Sequence, residues 1–163
     1  METNSRTGAI GAILDEYEKS INELKGVIED ITENELATIV DPDTNDTNCI
    51  SVASILTHVV RSGYSYAINI RNLKGAQLPF RDLILRNSIA EYNLDLDDVF
   101  NFTVETFANI DNKEIEEFDN AKKILSRWGQ FYDIEQMMEH AIVHILRHRR
   151  QIEKFKVKLR TAN

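Results

Sequence analysis

Met138-Glu139-His140-Ala141-Ile142-Val143-His144-Ile145-Leu146-Arg147-His148-Arg149-Arg150-Gln151-Ile152 carries three histidines spaced by four. Around them Ile134, Met138, Ala141, Ile145, His148, Ile152, Phe155 and Leu159 recur at alternating steps of four and three, which is one face of an α-helix. Asp133 with Gln136 makes a capping-box-like start, so the pattern predicts a helix from there to about Leu159. At about 100° per residue, His148 faces the core, His144 stands about 40° to one side and His140 about 80°. Gln151 lies about 60° off on that same side.

The same period recurs upstream. Ile10, Leu14, Tyr17, Ile21, Leu24, Ile28 and Ile31 predict a first long helix over residues 8–30. Ser51 is a plausible N-cap for a second, whose apolar face reads Val52, Ile55, Leu56, Val59, Tyr66, Ala67, Ile70 and Leu73 and which stops near Lys74-Gly75. Ser88 with Glu91 forms a capping box for a third, over residues 88–110. Between them, residues 32–48 read as an exposed connection with a short turn at 33–38, and residues 75–87 as a loop. Residues 111–132 read as mostly irregular, with an aromatic turn at Trp128-Gly129-Gln130-Phe131-Tyr132. No strand is expected. The fold class predicted is all-α, a four-helix bundle with long loops, as a single domain over residues 1–163.

Bulk properties exclude several functions. No apolar run approaches the roughly 20 residues that span a bilayer, and the polar N-terminus has no signal-peptide core, so a cytoplasmic protein is expected. Cys49 is the only cysteine, which forbids an intrachain disulfide and reads as a small residue near a helix start rather than a reactive thiol. A net charge of 19 − 27 = −8 argues against broad nucleic-acid binding. The basic residues from Arg147 to Arg160 read as a solvated face that complements the negative end of the helix dipole.

One more histidine exists, His58, beside Val59 at the edge of the second helix's apolar face. All four therefore fall on two helices, on faces that a bundle turns towards each other. Two readings stay open on spacing alone: structural histidines, or an i, i+4 pair joined by an imidazole from another helix around one ion, with positions left for water or substrate. Imidazole suits zinc, nickel, iron or copper without choosing among them. Glycine-rich phosphate loops, paired cysteines and a nucleophile elbow are all missing, and Glu139-His140 does not fit the Glu-x-x-His of di-iron bundles. Tyr64 and Tyr66 read as core aromatics.

This combination resembles the DinB/YfiT-like family of metal-dependent bundles. His144-Ile145-Leu146-Arg147-His148-Arg149-Arg150-Gln151 is similar to its His-x-x-x-His pair followed by Arg-Gly-Gln, with Arg150 in place of the usual glycine. Leu56-Thr57-His58-Val59-Val60 is similar to its helix-two segment, and the stretch from Trp128 to His144 resembles one branch in particular. The resemblance implies His58, His144 and His148 as ligands of one divalent metal, zinc or nickel first, and leaves His140 as a supporting or surface residue. It also implies a metal-dependent enzyme acting on a small-molecule substrate, a thiol-dependent S-transferase using a low-molecular-weight thiol or a hydrolase. The alternative is a non-enzymatic, stress-related helical binding or dimerisation module with a vestigial site. A homodimer is plausible for so many apolar faces, whereas nucleic acid and membrane are not expected partners.

Overall fold

A computed structural model describes residues 6–161. Five α-helices carry it: α1 Gly8–Ile28, α2 Glu33–Ala37, α3 Val52–Leu73, α4 Ile89–Thr106 and α5 Ile134–Thr161. The four long ones stand where the apolar periods predict them. Their starts follow the expected caps. Ser51 Oγ accepts the Ser54 N–H at 3.1 Å, Ser88 Oγ accepts the Glu91 N–H at 3.3 Å, and Asp133 Oδ1 accepts the Gln136 N–H at 2.8 Å. Short α2 is the turn expected at 33–38, closed by a Thr32/Glu35 capping box.

Beyond shifts of about two residues at the ends of α1 and α5, two features differ from the sequence reading. α4 ends at Thr106 rather than at residue 110, because Phe107 caps it with N–H bonds back to Val104 and Glu105. The irregular stretch contains a small antiparallel pair, β1 Ile124–Leu125 with β2 Phe131–Tyr132, where no strand is expected. Strands of two residues carry no alternation to read. Gly129, at φ +82°, makes the turn between them.

α1 packs against α5 and α4, and α3 packs against α4 and α5. One cluster of buried side chains joins Leu14, Ile21 and Leu24 of α1, Ile55 and Leu56 of α3, Leu96 of α4 and Ile145 and Ile152 of α5. The α3–α4 contact is also fixed by polar atoms. Tyr92 Oη donates to the Ala53 carbonyl at 2.9 Å and lies 2.7 Å from Thr57 Oγ1, one residue before His58. Gly63 lets the helices close at this level, since a Cβ there would fall 2.8 Å from Val99 Cγ2 and 2.9 Å from Tyr17 Oη. Among the described residues, no helix is long and apolar enough to cross a membrane.

Candidate metal centre

His58 on α3 and His144 and His148 on α5 meet. Their ligating nitrogens all lie within 4.8 Å of one another, the one grouping of histidine, cysteine or carboxylate ligands among the described residues that could hold a metal ion. His144 Nε2 is 3.0 Å from His58 Nε2 and 3.2 Å from His148 Nε2. Two nitrogens sharing a tetrahedral zinc at 2.0–2.1 Å stand about 3.3 Å apart. These two spacings are close to that value.

Proton accounting favours a shared cation. His148 Nδ1 lies 3.0 Å from Gln151 Oε1, an amide oxygen that accepts its N–H and leaves the Nε2 lone pair facing the other two rings. A proton on His144 Nε2 can point well at one neighbour only, so one short nitrogen–nitrogen contact would remain without a hydrogen bond. A cation at the centre satisfies all three. The charges agree with this. Burial, reinforced by His148 and His58, pushes His144 down from the ordinary 6.5 to about 2. Burial also takes His148 down to about 4, against the opposing effect of its hydrogen bond to the Gln151 oxygen, and lowers His58. All three are therefore neutral at pH 7, the form that binds metal.

His140 stays outside this group. Its ring stacks on Trp128 with centroids 4.5 Å apart and meets Tyr66 edge-on at 5.4 Å, on the wall of a cleft of about 340 Å³ that opens beside the three imidazoles. Its rim position agrees with the helix register. Tyr66 is a core aromatic, 7% exposed, but it also lines the cleft, a role its apolar spacing conceals; Tyr64 packs elsewhere, with Ile68 and Val99. Cys49 is buried, and burial pushes its thiol up, so it is no thiolate at neutral pH.

Several cleft residues escaped the sequence reading. Asp46 arrives from the loop before α3 and Arg127 and Trp128 from the β1–β2 turn, and these positions depend on tertiary packing. Arg61, Ser62, Ser65 and Asn69 were readable in principle: on α3 they follow His58 at +3, +4, +7 and +11, one helix face. Gln151, which the helix register already puts on the histidine side, shows its hydrogen bond to His148 only in the structure. Comparison of the chain with protein-family models, with curated proteins and with solved structures gave no match.

Proposed function

We propose that this chain is a metal-dependent enzyme with the four-helix-bundle architecture of the DinB/YfiT-like proteins it resembles, holding one divalent ion through His58, His144 and His148. The observation that carries the proposal is the convergence of three neutral imidazoles, from two helices, beside an open cleft. Three protein ligands leave coordination positions free, the pattern of catalytic rather than structural sites. A divalent ion in such a site supplies Lewis acidity and lowers the pKa of a thiol or water that reaches it. Zinc and nickel suit the all-imidazole donor set.

The protein's own groups set the conditions. Gln151 fixes the His148 ring and its tautomer. Trp128, Tyr66 and Met137 give the cleft an apolar wall that limits water around a bound substrate, while Ser62, Ser65 and Asn69 offer hydroxyl and amide groups that orient it. The reaction we assign is transfer of a low-molecular-weight thiol to an electrophile, or hydrolysis, in a cytoplasmic setting. Two substrate panels test it: electrophiles with a small thiol, and esters and amides without one. Turnover in either, abolished by chelation and restored by zinc or nickel, is the expected result. A metal-loaded protein inert in both panels would overturn the enzymatic reading.

One observation favours the second reading, a helical binding or dimerisation module. Leu83, Ile84 and Leu85, in the loop before α4, are 49%, 57% and 68% exposed, an apolar surface that a second copy of the chain would cover. That reading predicts a dimer by light scattering that persists when all three histidines are replaced.

A further inference from the structure

Among the described residues, five of the ten arginines of this acidic protein pair with carboxylates, and Arg81 and Arg150 lie unpaired outside the cleft. Arg6, Arg71, Arg86, Arg149 and Arg160 each have a carboxylate partner. Arg61, Arg127 and Arg147, which line the cleft beside the three imidazoles, have none among the described residues, in a chain with 27 acidic side chains to choose from. They come from three elements: Arg61 from α3, Arg127 from the β1–β2 turn and Arg147 from α5. Two are held by contacts that leave charge available. Arg61 donates its Nε–H to the Arg81 carbonyl at 3.1 Å, and the Arg127 guanidinium lies 4.9 Å from the centre of the Phe80 ring.

Among the described residues, the single carboxylate on the cleft is already engaged. Asp46 Oδ1 accepts the backbone and side-chain N–H groups of Asn48, both at 3.0 Å, and its Oδ2 faces the Cys49 thiol at 3.5 Å. Three guanidinium groups against one occupied carboxylate make the cleft locally cationic in a protein of net charge −8.

The positive surface continues outward. Arg147 also borders a shallower depression with Arg150, Lys154 and Lys158. At about 100° per residue these four fall within an arc of about 80° on α5. None has an acidic partner within ion-pair distance among the described residues, although Asp41 shares the depression. On the opposite face of the same helix the cations are neutralised: Arg149 pairs with Glu23, Lys156 with Asp30, and Arg160 with Asp30 and Glu35. On α5, the unpaired cations thus collect on the side that leads into the cleft.

We infer that the cleft binds a small anionic molecule, its carboxylate or phosphate group paired with Arg61, Arg127 and Arg147 and its other end at the three-histidine face. Guanidinium groups suit such oxyanions because they offer paired, planar donors. A cavity of about 340 Å³ sits at the small end of ligand pockets, which limits the molecule to metabolite size. The cations along α5 steer it in. This assignment of substrate class rests on the proposed metal site for its catalytic meaning, but anion capture itself needs only the arginines.

Calorimetric titration of the full chain with malonate and with inorganic phosphate tests it, in zinc-loaded and in chelator-treated protein. Binding of at least one anion in both forms, weakened about tenfold or more by Arg61→Gln or Arg147→Gln and by raised salt, is the expected result. Arg160→Gln, on the carboxylate-paired face of α5, should change it by no more than about twofold, and Arg147→Lys should retain part of the affinity that Arg147→Gln loses. Circular dichroism of each variant confirms that it is folded. Binding only in the loaded form and indifferent to the arginine substitutions would mean metal ligation alone and overturn the inference, as would no binding of either anion. Arginine-dependent binding by a protein that takes up no metal would uphold the anion site while the metal reading failed.

Discussion

His58 and His144 stand 86 positions apart in the chain, and their Nε2 atoms lie 3.0 Å apart in the fold. Two helices have to be held in register for this to happen. Thr57, next to His58, is tied to Tyr92 on α4, while Ile145, next to His144, is buried at 3% exposure in the common core. The site therefore inherits its geometry from packing on both sides.

Gln151 fixes the ring of His148, so its removal should be felt by a bound ion without any loss of a ligand. Gln151→Leu should weaken zinc binding about 10- to 100-fold in a competition titration with a chromogenic chelator. His140→Gln serves as the comparison. Because His140 stacks on Trp128 instead of joining the three Nε2 atoms, zinc affinity should change by less than about threefold, well short of the loss at Gln151.

Acid should destabilise the metal-free protein in a window that belongs to the histidines. His144 and His148 have folded-state pKa values of about 2 and about 4, against an ordinary 6.5, so below pH 6.5 the unfolded chain binds more protons than the folded one. Stability is intact above pH 6.5 and falls as pH drops from there, until about 4 for the His148 contribution and about 2 for that of His144. The paired carboxylates act lower: Asp30 and Glu35, held at about 2 by Arg160, lose their contribution only below about pH 4. Urea midpoints of chelator-treated protein at pH 7.5 and 5.0 should differ clearly, and the difference should shrink in a His144→Phe, His148→Leu double variant. Equal midpoints in the wild type would contradict the depressed values.

Two glycines on long helices should respond in opposite directions to alanine. At Gly26 an added Cβ meets nothing within 4 Å, so Gly26→Ala should stabilise by about 0.5–1 kcal/mol through helix propensity. At Gly63 the same Cβ would press on Val99 and Tyr17, which are 1% and 2% exposed and cannot retreat. Gly63→Ala should therefore lose about 1–3 kcal/mol to overpacking, less the propensity gain. Thermal melts of the two variants decide the matter.

How far these features could be read without coordinates depends on whether they are local. The long helices were legible because each carries an apolar period of several turns and a cap of the right chemistry, as at Ser51, Ser88 and Asp133. The pairing of His144 with His148 was legible for the same reason, since four residues on a helix are neighbours. His58 could be placed at the edge of an apolar face, while its distance to α5 needed tertiary structure. The β1–β2 pair left almost no trace beyond Gly129, so the seat of Trp128 and Arg127 on the cleft wall went unread. The unpaired state of Arg61 and Arg147 is equally invisible in sequence. It depends on which carboxylates the fold brings near.

On the proposed function, His58, His144 and His148 together hold one ion. Elemental analysis of untagged protein, after exposure to zinc and to nickel and removal of free metal, tests it most directly. The expected result is close to one ion per chain in the wild type, lost in a folded His148→Ala variant. A folded wild type that emerges metal-free from both exposures would contradict it.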